Sequence, residues 1–293
     1  MGRMIRAISE NGGVVLFAVD SADIVREAER IHQTSAVTSA ALGRLMTGAV
    51  LMSAVLKRDE DNVTLRMEGG GPAGLLLAVA NGKNQVKGYV ENPVVELPLR
   101  ADGKLDVGGA VGRAGTLSVV KDLGLKEPYV GQIPLVSGEV AEDITAYYAT
   151  SEQIPTVCAL GVLVNPDLTI AAAGGYLLQL LPGAADSEIV RLEQNIAAMP
   201  SVTKMLSEGM GLEEIMNRAM DGFDPHVLDE SRAAYVCDCS AERTERALLS
   251  LGRQELENLA EQGEDLEVCC QFCDKKYHFA PGALLVQLKQ KSV

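Results

Sequence analysis

The chain has no tryptophan, and all its aromatics together make up only 4% of the sequence. A small domain built from it would lack the large side chains that usually dominate a core, and would need another source of stability. Histidine occurs three times, at His32, His226 and His278, far apart in sequence. No Ser/His/Asp or paired-carboxylate arrangement can be picked out beside them, so an enzyme is not expected. Bases are few: 26 Lys and Arg stand against 40 Asp and Glu, a formal charge of −14. Such a surface repels phosphate backbones and anionic lipid, which argues against nucleic acid and membrane partners. Long apolar runs are missing too. Residues 45–56 are too few to cross a bilayer, and residues 168–185 are interrupted by Gly174, Gly175, Gln179 and Pro182. Arg3 and Arg6 break any secretory leader, and Arg6 stands where a myristoylation motif needs Ser or Thr. The expected location is the cytoplasm, where thiols stay reduced.

What is present is ordinary globular material. The chain has 293 residues, 47% of them hydrophobic and 23% charged, enough for one large domain or two smaller ones. Residues 1–181 alternate short strand and helix patterns. Ile24, Val25, Ala28 and Ile31 follow Ser21 at helical spacing, and a second, alanine-rich helix with Gly43 and Gly48 is expected over about 35–56. Val63, Leu65 and Met67 alternate with Thr64 and Arg66, as in a half-buried strand. Asn81-Gly82 joins two further strand patterns as a hairpin, and Asn165-Pro166-Asp167 turns between two more. Residues 116–121 and 130–136 read as strands and 141–153 as a helix. The expected class is α+β, a mostly antiparallel sheet with helices, serving as a core domain over 1–181.

Residues 182–232 differ. They hold ten acids against four bases, and five of the ten methionines: Met199, Met205, Met210, Met216 and Met220. Three short helices are expected, punctuated by Pro200, by Gly209 and Gly211, and by Gly222 and Pro225. Such helices are too short to stand alone and must lean on something. The segment reads either as a helical connector packed on the core or as an adaptable Met-rich surface for apolar partners.

Residues 233–293 carry five of the six cysteines. Cys237-Asp-Cys239 is followed, thirty residues later, by Cys270-Gln-Phe-Cys273. Two close-spaced pairs brought together by folding offer four thiolates to a tetrahedral ion, the soft closed geometry that zinc prefers. Cys269 competes with Cys270 as a ligand. Cys270 is favoured, because two intervening residues form the usual zinc-binding turn. The ion reads either as a constitutive structural staple or as part of a redox switch, since oxidised sulfurs no longer bind metal. Cys158, in an apolar strand, is expected to be a buried, inert thiol. Gly69-Gly70-Gly71-Pro72-Ala73-Gly74 matches a dinucleotide-binding fingerprint in form only. A strand pattern rather than a helix follows it, so a glycine-rich turn is expected.

Several stretches together resemble one family, the redox-regulated heat-shock holdases called 33 kDa chaperonins. They are Cys237-Asp-Cys239-Ser240-Ala-Glu-Arg243, Leu251-Gly252, Glu267-Val268-Cys-Cys270-Gln-Phe-Cys273 and Tyr277-His-Phe279. In the core they are Glu68-Gly-Gly-Gly-Pro72, the run from Gly115 to Gly124, the run from Ser151 to Pro155, and that from Ala172 to Gln179. The extra Cys269 is the one departure. The resemblance implies an ATP-independent molecular chaperone active in the stress response, with zinc bound by Cys237, Cys239, Cys270 and Cys273 in the reduced, inactive state. It also implies redox-active disulfides Cys237–Cys239 and Cys270–Cys273 after oxidation, loss of zinc, and loss of structure in 233–293 and in the linker 182–232. A homodimer then binds unfolding client proteins and prevents their aggregation. The alternatives are an interaction protein with a constitutive zinc site and a thiol–disulfide oxidoreductase.

Overall fold

A computed structural model describes residues 1–184, 186–261 and 265–291. The chain divides into two compact units, Met1–Val236 and Cys237–Val293. The first is an α+β unit around a ten-stranded sheet, as the sequence patterns and the resemblance led us to expect. Its strands are β1 (Gly2–Ile8), β2 (Val14–Asp20), β3 (Asn62–Gly70), β4 (Leu76–Asn81), β5 (Gln85–Val90), β6 (Gly112–Asp122), β7 (Tyr129–Pro134), β8 (Thr156–Val164), β9 (Ile170–Leu180) and β10 (His226–Tyr235). Their spatial order is β7-β6-β3-β4-β5-β10-β1-β2-β9-β8. Every pairing is antiparallel except β10 with β5, where Ala234 and Tyr235 run parallel to Gln85 and Val86.

Helices α1 (Ala22–His32) and α2 (Ala36–Ser53) pack on one face. α2 is long and apolar enough to cross a membrane by composition, yet 89% of that stretch is buried inside the protein, as befits a core helix. Its Gly43 lets it approach closely, since an added Cβ would lie 2.9 Å from the side chains of Val25 and Val162. A short helix α3 (Val107–Val111) precedes β6, and α4 (Ala141–Tyr147) passes into a π-helical turn over Tyr148–Glu152. The single helix expected over 141–153 is thus two geometries in succession. At the β3–β6 ladder the register shifts beside Glu68, and Gly115 meets the Glu68 carbonyl so closely that only a hydrogen fits.

The strands β1, β2 and β9 have helices on both sides. Met4, Val15, Phe17, Val19 and Leu177 face α1 and α2 in the main core. Ile5, Ala7, Leu16, Ala18, Tyr176 and Leu178 face the opposite way, onto a second cluster. That cluster is completed by α5 (Asp186–Ala198), α6 (Val202–Ser207) and α7 (Leu212–Ala219), the three short helices expected in 182–232. Leu192, Val202, Met205, Leu212, Ile215 and Met216 are buried there. Each of these helices thus finds the support that its length demands. β10 runs through the expected boundary at 232/233, and the division between the units falls after Val236.

Ion pairs tie α7 and β10 to β1. Arg3 bridges Glu213 of α7 and Glu230 of β10, and Arg6 pairs with Asp229 at 2.7 Å. The hydrogen bond from the Arg3 guanidinium holds the Glu213 carboxyl down at about 2, against an ordinary 4.5. A carboxyl depressed in the folded state contributes stability above its unfolded value and loses it as pH falls through the folded one. The contribution is therefore full above about pH 5 and fades toward pH 2, and solvent screening keeps it below about 1 kcal/mol. Urea midpoints measured against pH should show this acid limb shallower in Glu213→Gln. An unchanged limb would mean that the pair adds nothing to folding.

Candidate metal centre

Cys237 and Cys239 follow β10 directly, on a short knuckle closed by the next helix. Ser240 caps that helix, α8 (Ala241–Leu249), accepting from the Arg243 amide at 3.2 Å. Arg243 also turns back to donate to the Asp238 carboxylate and, at 3.2 Å, to its carbonyl. α9 (Arg253–Glu261) follows, then a two-stranded antiparallel sheet of β11 (Leu266–Cys269) and β12 (Lys276–Phe279), then α10 (Pro281–Lys291). Cys270 and Cys273 sit in the turn between the two strands. The Cys270 carbonyl accepts from the amides of Cys273 at 3.2 Å and Asp274 at 2.8 Å, and the Cys270 amide donates to the Lys275 carbonyl at 2.9 Å. The turn folds around one carbonyl and brings both sulfurs to one side.

The four Sγ atoms of Cys237, Cys239, Cys270 and Cys273 lie within 4.8 Å of one another. Cys237 and Cys270 are 3.7 Å apart, and Cys239 and Cys273 3.3 Å, as free thiols. Zn–S bonds of about 2.3 Å in a tetrahedron put sulfurs about 3.8 Å apart, so the donor set fits such an ion with little movement. Among the described residues this is the one group of three or more metal-binding side chains so gathered. Cys269 lies outside it, exposed, on the opposite face of β11 from Val268 and opposite Lys276. His278 is exposed on the same face, 3.7 Å from Glu267.

The thiols are not equivalent. Burial pushes Cys237 up to about 11 and Cys273 higher still. Burial also acts on Cys239, but hydrogen bonds from the Tyr277 hydroxyl and the neighbouring thiols outweigh it and bring Cys239 down to about 7. The Tyr277 hydroxyl donates to the Cys239 sulfur at 3.1 Å, and that bond raises Tyr277 to about 12. No local sequence pattern marks Tyr277 as part of the site. Its inward position follows from strand alternation, with His278 pointing out and Phe279 in. Tyr277→Phe should lower zinc affinity roughly tenfold, the usual loss when a ligand's supporting hydrogen bond is removed. Competition with a chromophoric chelator measures it, and equal affinity in the variant would show that the hydroxyl does not support the thiolate.

Other singled-out residues lie elsewhere. Cys158 is on β8, half-buried rather than fully buried as expected, and the desolvation of its sulfur against the main core pushes the thiol well up. His32 Nε2 donates to the Gly88 carbonyl at 3.0 Å, and His226 lies 3.9 Å from Glu10. In the glycine-rich turn the amides of Gly71 and Ala73 donate to the carbonyls of Val111 and Ala110 at 2.9 Å. Those donors, which a phosphate would need, are already engaged.

A family model described as Hsp33 protein matches residues 2–280. The 33 kDa chaperonin of Clostridioides difficile (strain 630) is 46% identical over 287 residues, covering 98% of each chain. That of Geobacillus kaustophilus (strain HTA426) is 44% identical over 287 residues, covering 98% of this chain and 97% of its own. The crystal structure of the 33 kDa chaperonin (heat shock protein 33 homolog) from Thermotoga maritima superposes with a TM-score of 0.89 at 37% identity, covering 99% of this chain and 98% of that one. A ten-stranded α+β unit followed by a four-thiol unit is thus the build of a heat-shock chaperone, a class that binds client proteins. The chain belongs to the Hsp33 family of 33 kDa chaperonins.

Proposed function

We propose that the chain is a redox-regulated, ATP-independent holdase of the cytoplasm. It has a core over 1–181, a linker over 182–232 and a switch over 233–293. In the reduced state Cys237, Cys239, Cys270 and Cys273 hold zinc, which supplies a structural cross-link. Peroxide takes two electrons from each pair of thiolates, its O–O bond breaks, and two protons from solvent complete two waters for each disulfide formed, Cys237–Cys239 and Cys270–Cys273. The oxidised sulfurs offer no thiolate, and the second unit loses its staple. The linker helices then release, the chain forms a homodimer, and unfolding clients are held on the exposed apolar surface without hydrolysis of ATP.

One observation carries this reading. Four free thiols converge in a unit whose buried apolar residues, among those described, are Leu249, Leu256 and Leu284, with Pro281 at the start of Leu284's helix. A core so small leans on its cross-link, so chemistry at sulfur becomes a folding event. The test follows free zinc and aggregation of a denatured client together, during peroxide treatment at raised temperature. Zinc should appear as aggregation is suppressed. Equal activity in reduced and oxidised protein would favour a constitutive zinc site, and catalytic turnover in insulin reduction would favour an oxidoreductase. Either result overturns the proposal.

A further inference from the structure

The methionines divide sharply by exposure. Met4, Met46, Met52, Met67, Met205, Met216 and Met220 are buried, and Met1 is the exposed terminus. The two that remain, Met199 and Met210, are half-buried, and both belong to the layer of α5–α7. Each lines a surface cavity of about 360 Å³. That of Met199 opens between α5 and α7 and is walled by polar groups, Asn195, Glu214, Asn217 and Arg218. That of Met210 is walled by Arg3, Asp20 and Leu206 among others. Water and small solutes reach a polar cavity of this size. Both side chains therefore border a cavity on one side and pack on the second apolar cluster on the other.

Met199 is also wired to the sheet. The hydroxyl of Tyr176, a β9 residue only 3% exposed, donates to its Sδ at 3.8 Å. A thioether is a weak acceptor, and this contact holds the C-terminal end of α5 against β9.

We propose that Met199 is a second oxidant-sensing site, with Met210 a separate thioether open to the same reagent, and that oxygen transfer to Met199 loosens α5 from the sheet. The reagent class is a two-electron oxygen donor such as hydrogen peroxide. The Sδ lone pair takes one peroxide oxygen, the O–O bond breaks, an S–O bond forms and water leaves. Sulfur is oxidised by two electrons and the peroxide reduced by two. Oxygen delivered from the cavity side replaces the thioether by a polar sulfinyl group, which draws the side chain toward the solvated cavity and away from the Tyr176 hydroxyl. An oxygen turned instead into the apolar cluster that Met199 packs against would lack a partner, which apolar packing penalises. Either way the end of α5 moves off β9. The site is chemically separate from the cysteines, and its consequence for client binding rests on the function proposed above.

The experiment exposes the reduced full-length protein to graded hydrogen peroxide and maps added oxygen by peptide mass spectrometry. Hydrogen exchange of α5 and free zinc are followed in the same samples. Met199 and Met210 should oxidise roughly tenfold faster than Met205, Met216 and Met220, and before α5 loses protection. Met199→Gln, a polar stand-in for the sulfoxide, should lower α5 protection by roughly tenfold, while Met199→Leu and Met210→Gln keep it. Uniform oxidation, oxidation only after α5 has opened, or unchanged protection in Met199→Gln would overturn the proposal. Should Met199→Gln fail to fold, the oxidation order decides, together with α5 protection in peroxide-treated Met199→Leu, which should persist. Zinc release and client protection without oxygen at Met199 would leave the chaperone reading standing and remove this one. Oxygen at Met199 with α5 open, zinc retained and aggregation unchanged would do the reverse.

Discussion

Cys239→Ser should leave the second unit unfolded while the first keeps its cooperative melt. Serine offers no thiolate, and the tetrahedral set loses its most readily ionised member. Structural zinc contributes about 10–16 kcal/mol to small modules of this kind. The apolar alternative is slight, since a unit of about sixty residues is marginal even with a good core. Here that core is Leu249, Leu256 and Leu284, with half-buried neighbours such as Leu266 and Phe279. Zinc content should fall below one ion per chain, and the helical signal of α8–α10 should vanish from the circular dichroism spectrum. Cys269→Ser is the matching control, because Cys269 is exposed and outside the cluster. It should keep both zinc and fold. A folded, zinc-loaded Cys239→Ser would remove the metal from the account of this unit.

Met216→Asp should make the reduced protein active without oxidant. Met216 is 4% exposed on α7, within the apolar cluster it shares with Ile5, Leu16 and Leu212. A carboxylate placed there is either charged in apolar surroundings or protonated at a cost, and both amount to several kcal/mol. That exceeds what three short helices can absorb. The main core lies on the other face of the sheet and does not share the penalty. Hydrogen exchange should therefore open in α5–α7 while α2 stays protected, and aggregation of a denatured client should fall with zinc still bound. Met216→Leu, near in volume, should cost under about 1.5 kcal/mol and change neither. Helices opened by Met216→Asp with no gain in client protection would show that this layer is not what masks the client surface.

The parts of the fold that sequence made legible are those with one buried face. β3 shows its alternation through Val63, Leu65 and Met67, and α7 its stripe through Leu212, Ile215 and Met216. The four thiols were legible from spacing alone. β2 was not, because residues 14–19 are buried on both faces and read as a plain apolar run. β10 was hidden for the opposite reason. Its His226–Glu230 stretch is exposed, and the strand is recruited by pairing with β1 and by Arg3 and Arg6 rather than by apolar alternation. The role of Tyr277 depends on the turn that carries the second cysteine pair back toward the first, a long-range closure that no local pattern encodes.

The double-sided wall of β1, β2 and β9 has a consequence for the return journey. If α5–α7 depart, the strands remain ordered by α1 and α2 behind them, and Leu16, Ala18, Tyr176 and Leu178 stay in register. The departing helices leave a finished mould rather than a collapsed one. Their re-docking is then a local search against a fixed surface, without the slow pairing of distant strands that built the sheet. Recovery after stress should accordingly be quick and repeatable, limited by the chemistry that restores the sulfurs and not by refolding of the sheet.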